Sequence, residues 1–143
     1  MLHGKLIHPE ILGVLGTLGH GSRVLICDGN YPIATRSGHA AQVYLNLSPG
    51  VVTATQALEA IVAAVPVESA CVMRPEEGPE PAIFAEFREL LDSAGAPSEL
   101  EPLDRFAFYD AGCEDDVGLA IHTAERRIYA NLLLTIGVIP PGD

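Results

Sequence analysis

Three short segments of this 143-residue chain carry side chains whose type and spacing suit proton transfer or hydroxyl recognition. The first is Gly19-His20-Gly21. An imidazole between two glycines is little crowded, and it can donate or accept a proton near neutral pH. By itself the triplet reads more readily as a surface-loop histidine. The second is Asp28 in Asp28-Gly29-Asn30, at the expected C-terminal end of a strand, the edge where ligands of α/β sheets gather. A carboxylate there can orient a histidine or accept a sugar hydroxyl, and the same triplet also reads as an Asx-type turn. The third is Tyr129-Ala130-Asn131. In an extended segment, residues two apart share one face, so the phenol and the amide could reach one ligand. An ordinary polar strand edge accounts for the same residues.

Other chemistries find no matching pattern. The glycines at 13, 16, 19 and 21 follow a helix and precede a strand, the reverse of the strand–glycine–helix order that sets a helix N-terminus against a pyrophosphate. There is no Gly-x-x-x-x-Gly-Lys-Ser/Thr and no Gly-x-Ser-x-Gly. His3, His8, His39 and His122 have no recognisable partner spacing and read as surface or strand residues. Cys27, Cys71 and Cys113 form no Cys-x-x-Cys pair and no zinc-type cluster, so no metal is expected and the thiols read as small core residues. Acidic runs such as Glu76-Glu77 and Glu114-Asp115-Asp116 read as solvated faces.

The candidate residues need a scaffold, and hydrophobic periodicity supplies one. Pro9 and Glu10 suit a helix start, Ile11, Leu12, Leu15 and Leu18 recur at helical spacing, and Gly19 suits its end. Arg23–Cys27 reads as a buried strand that ends at the Asp28 turn. A strand is expected over Gln42–Ser48. Thr53 with Gln56 forms a capping box for a helix through about Val65. Ser69–Met73 reads as a strand, Pro75–Pro81 as a loop, and Ile83–Leu91 as an amphipathic helix stopped near Gly95. The segment from Leu103 to Tyr109 is ambiguous. Val117–His122 and Leu132–Ile139 read as strands, separated by Glu125-Arg126-Arg127. Strands alternating with helices imply an α/β fold, a single domain over 1–143 with a largely parallel or mixed sheet and helices packed on it.

Composition narrows the partners. The formal net charge is −11 with only eight Lys and Arg, which disfavours nucleic acid and anionic membranes and leaves a neutral small molecule compatible. No apolar run is long enough to span a bilayer, and residues 1–20 lack the pattern of an export signal, so a cytoplasmic location is expected.

These signals occur together in one order. The opening MLHGKLIHPEILGVLGTLGHGSRVLICDGNYP, the segment RFAFYDAG and the ending IHTAERRIYANLLLTIGVIP resemble the L-fucose mutarotase / D-ribose pyranase family. The likeness runs through nearly the whole chain and is strongest at both ends, while Arg36–Glu101 matches mainly in its order of elements. It implies an isomerase that interconverts anomers or ring forms of a free monosaccharide without a cofactor, in a ring-like homo-oligomer with sites near subunit contacts. Carried over residue by residue, it makes His20 the acid–base catalyst, with Asp28 supporting that site and binding sugar. It makes Arg105, Tyr129, Ala130 and Asn131 sugar-binding. Arg105-Phe106-Ala107-Phe108-Tyr109 is similar to the fucose-type branch, where ribose-type members tend to carry His at the first position. Tyr31–Ala41 departs from the family pattern and is expected to shape substrate choice. A non-catalytic monosaccharide-binding or sensing protein on the same scaffold is the alternative, and it would need every binding residue but not His20.

Overall fold

The computed structural model describes residues 1–142. Six strands form one sheet in the order β2-β5-β1-β6-β3-β4. They are β1 (Arg23–Cys27), β2 (Ala41–Tyr44), β3 (Val67–Met73), β4 (Leu100–Leu103), β5 (Val117–His122) and β6 (Leu132–Ile136). Four helices pack against them: α1 (Pro9–Leu15), α2 (Ala54–Val62), α3 (Ile83–Ser93) and α4 (Arg105–Gly112). β5 is parallel to both β1 and β2, and β3 to β4, while β6 is antiparallel to its neighbours β1 and β3. Five strands therefore point one way and β6 the other, so the expected mixed α/β sheet is what forms.

Burial on both faces explains the near-continuous apolar strands. Along β1, Val24 and Ile26 join the core beneath α1, α2 and α3, while Leu25 and Cys27 join a second core beneath α4. The second core also takes Tyr31, Ile33 and Ala40, so much of the 31–41 loop is packed rather than free. Gly38 lets that loop pass close to the chain after α4, with φ +56° and room for no Cβ, which would sit 2.5 Å from the Cys113 carbonyl oxygen.

Several elements differ from the sequence expectation in length. β6 ends at Ile136 and leaves Val138 and Ile139 exposed. β2 ends at Tyr44, and only one isolated bridge, Ser48 with Val51, follows. The ambiguous 103–109 segment divides at Asp104, which leaves β4 and caps α4 by accepting from the Ala107 N–H at 2.8 Å. His8 also has a local role, its Nδ1 accepting from the Ile11 N–H at the start of α1. Cys27 is buried as expected, but Cys71 and Cys113 are only partly covered.

Candidate active site

The reversal of β6 builds the site. β1 ends at the same sheet edge where β6 begins, with Ile26 opposite Leu132. Continuing that register brings the residue after β1 against the residue before β6. Asp28 and Asn131 accordingly meet: the Asn131 Oδ1 accepts from the Asp28 backbone N–H at 2.9 Å, and its Nδ2 donates to the Asp28 Oδ2 at 3.2 Å. The Ala130 N–H donates to the same oxygen at 3.2 Å, and the Asn30 N–H donates to Oδ1 at 2.9 Å. Both side chains are buried.

Two effects oppose each other at Asp28. Burial pushes its pKa up, and the donors from Asn30, Ala130, Tyr31 and Asn131 push it down without fully offsetting burial. The carboxyl therefore titrates above the ordinary aspartate value. Next to it on β5, burial holds the His122 imidazole below the usual histidine value, against the pull of Asp28 and the Tyr31 backbone. His122 is a buried strand residue whose Nδ1 has no hydrogen-bond partner.

Asp28, Asn131, Arg105 and Tyr129 line one cleft of about 350 Å³. Arg105 is the first residue of α4 and lines the cleft from the β4 side of the sheet, with β3 between β4 and β6. Its Nε donates to the Tyr109 hydroxyl at 3.2 Å, and its guanidinium lies 5.5 Å from the centre of that ring. Tyr129 does not lie in an extended segment. Its φ is +61°, a left-handed turn, and the chain becomes strand only at Leu132. The phenol and the amide still share the cleft, Tyr129 from the turn and Asn131 from its bonds to Asp28. The Asn131 amide also bonds Asp28, a contact that the sequence does not reveal. Arg105, the Tyr129 hydroxyl and the remaining Asp28 lone pairs are the groups left for a ligand. Asn30, Met73, Tyr109 and Ile128 also line it without having been given a role in the sequence, as does Tyr31 at the start of the 31–41 segment. Tyr109 stands four residues after Arg105, the spacing that places two side chains on one helical face.

The turn that carries Tyr129 is anchored by Glu125. This carboxylate is buried and accepts from Arg127 Nε and Nη2, both at 3.0 Å, from the Arg127 N–H at 3.1 Å, and from the Ala54 N–H at the start of α2 at 3.3 Å. Burial raises its pKa, but the Arg127 bonds and charge outweigh that and hold the carboxyl below the ordinary glutamate range. The charged 125–127 stretch thus ties the site to α2 and is more than a solvated separator.

His20 is elsewhere in the chain. It precedes β1, whereas Asp28 follows it, so the whole five-residue strand, roughly 16 Å of extended chain, lies between them. His20 is exposed and its Nε2 meets the Glu68 Oε2 at 3.0 Å. One copy of the chain brings together Asp28, Arg105, Tyr129, Ala130 and Asn131 and leaves His20 at the opposite sheet edge. Among the described residues, no group of three or more His, Cys, Asp or Glu is placed to hold a metal ion, and no helix is long and apolar enough to cross a membrane.

Known proteins share this fold. Fucose mutarotase of Danio rerio is 32% identical over 97% of this chain and 94% of its own length. The crystal structure of FucU from Bifidobacterium longum superposes with a TM-score of 0.77 at 30% identity, covering 94% of this chain and 96% of that one. Fucose mutarotase from Streptococcus pneumoniae, solved in complex with L-fucose, has the same fold, with a TM-score of 0.85 at 24% identity over 98% of this chain and 100% of that one. The model of the RbsD / FucU transport protein family matches residues 1–139, and the chain belongs to that family.

Proposed function

We propose that the protein is a monosaccharide mutarotase acting on L-fucose. The observation that carries this reading is the convergence of Asp28, Arg105 and Tyr129 on one cleft, in a chain whose relative from Danio rerio is a fucose mutarotase. Mutarotation of a cyclic hemiacetal needs two proton movements. The anomeric hydroxyl loses its proton, the bond between C1 and the ring oxygen breaks, and the ring oxygen takes up a proton as C1 becomes an aldehyde. Rotation about the bond to C1 and the reverse steps give the other anomer. General acid–base catalysis contributes about 10²–10⁴-fold, enough for a reaction that already proceeds in water.

In this reading Arg105 donates to sugar hydroxyls, Asp28 accepts from one, and Tyr129 bonds another. Asn131 and the Ala130 N–H hold Asp28 in place. His20 moves the proton, and it does so in the cleft of a second copy. Two features support an assembly of that kind. Phe106 and Ile128 are exposed beside the cleft, being 59% and 63% accessible, and Val138 and Ile139 are exposed at the His20 edge, where β6 ends. Contact between two unlike patches repeats head to tail and closes into a ring when the rotation allows. A cytoplasmic location belongs to the same proposal.

A single copy offers a sugar cleft without His20, which is the arrangement a non-catalytic sugar-binding protein would have. Anomer exchange separates the two readings. Saturation-transfer NMR on L-fucose, D-ribose and D-galactose is expected to show exchange accelerated most for L-fucose. Binding of L-fucose with no acceleration would support the binding protein, and a stronger effect on another sugar would keep the reaction and replace the substrate.

A further inference from the structure

Glu68 lies outside the cleft and has been given no role so far, yet three features of the fold aim it at His20. The first is a contact: Glu68 Oε2 lies 3.0 Å from His20 Nε2, although 48 residues separate them. The second is the strand carrying it. The pairing of β3 with β6 shifts between Val67 and Ser69, so Glu68 is the unpaired residue of a bulge, a device that redirects a side chain. The third is the space beside it. A Cβ at Gly137 would come within 3.3 Å of the Glu68 Cβ, so glycine there leaves room for the bulged backbone. The His20 loop is fixed to the same β6 end, with the Gly21 N–H donating to the Ile136 carbonyl at 2.9 Å and the Ile136 N–H donating to the Ser22 carbonyl at 2.9 Å.

We propose that Glu68 is the positioning residue for His20: it accepts the Nε2 proton, fixes the tautomer, and leaves Nδ1 as the atom that takes the anomeric proton. The inference rests on the reading of His20 as the proton carrier. In a neutral imidazole one nitrogen donates and the other accepts, and the partner of the first decides which nitrogen is free to act as base. Nothing else among the described residues hydrogen-bonds to the His20 ring. Asp28, the carboxylate expected from the sequence to orient it, is engaged with Asn30, Ala130 and Asn131 at the other end of β1. An exposed pair of this kind contributes little to stability, so its removal leaves the protein folded.

The experiment is anomer exchange of L-fucose by the full-length Glu68→Gln, Glu68→Asp, His20→Ala and His20→Ala/Glu68→Gln proteins. Glu59→Gln serves as the control, because it removes another exposed pair, Lys5 with Glu59. Glu68→Gln is expected to lower kcat by roughly 10- to 100-fold, the cost of a reacting group misplaced by about an ångström, with KM little changed. Glu68→Asp restores part of the loss, the control matches wild type, and the double variant is no slower than His20→Ala. The ¹⁵N shifts of the His20 ring report a proton fixed on Nε2 in wild type and a tautomer mixture in Glu68→Gln. Wild-type kcat for Glu68→Gln beside an inactive His20→Ala would overturn the role of Glu68 alone. A double variant clearly slower than His20→Ala would also overturn it. Wild-type exchange by His20→Ala would instead remove the reading on which the inference stands.

Discussion

Replacing Glu125 by alanine tests whether the turn carrying Tyr129 is held as described. The variant loses four acceptor contacts at once. Ala54 is fully buried, so its N–H is left without a partner, at about 1–3 kcal/mol. The Arg127 N–H is only partly covered and costs about 0.5–1 kcal/mol. The Arg127 side chain is 43% exposed and keeps Glu86, so water compensates most of its loss and about 0.5–1 kcal/mol is added. The total is about 2–5 kcal/mol. With an m-value of about 2 kcal/mol/M, the urea midpoint falls by roughly 1–2.5 M, read by circular dichroism at one fixed protein concentration. Glu125→Gln keeps one oxygen as an acceptor and loses less. The pH dependence carries a sign. The folded-state pKa of Glu125 is depressed, so its stabilisation is present above the ordinary value of about 4.3 and is lost as pH falls through the folded value. The gap between wild type and Glu125→Gln therefore narrows below about pH 4. A Glu125→Ala midpoint unchanged at pH 7, or a gap that widens on acidification, would refute this reasoning.

Other perturbations address the remaining parts of the account. Arg105→Ala leaves the urea midpoint within experimental spread, because Arg105 is exposed, and weakens L-fucose binding about 10-fold or more for the loss of a charged hydrogen bond, measured by titration calorimetry. Phe108→Ala empties a fully buried site in the second core and costs about 3–5 kcal/mol in urea unfolding. His122 is held below the usual histidine value by burial, so the stability its neutral ring provides is lost as pH falls through the range below about 6.5. His122→Gln flattens the decline in melting temperature on acidification below about pH 6.5. His20→Ala keeps its circular dichroism spectrum and its affinity for L-fucose while losing most anomer exchange.

Much of the fold was legible because the signals were local. The capping box at Thr53 and Gln56 forms as expected, and α2 begins where it says. The two-sided burial of β1 and β5 follows from their uninterrupted apolar runs. The direction of β6 was not legible, since periodicity carries no information about which way a strand runs. That direction is what places Asn131 against Asp28, so sequence could propose both residues but not their mutual hydrogen bonds. Glu125 looked like part of a charged separator, because a buried carboxylate and an exposed one have the same letter and only the packing of α2 decides between them. Tyr129 and Asn131 were expected to share a face through extension, and they share a cleft through a left-handed turn instead. His20 was legible as a candidate for proton transfer but not as a place, because the sequence does not show that the length of β1 separates it from Asp28 in one copy.

His20 of one copy and Asp28 of another are proposed to complete one mutarotase site, and co-assembly of two inactive proteins distinguishes that site from one built within a single copy. His20→Ala and Asp28→Asn, carrying different tags, are co-expressed, and the mixed assembly is isolated through both tags. The anomer exchange of L-fucose is then measured against each parent. With sites formed between copies and random assembly, roughly a quarter of them recover an intact His20 and an intact Asp28, so the account predicts exchange at about a quarter of the wild-type rate. A mixed assembly as inactive as its parents would contradict it.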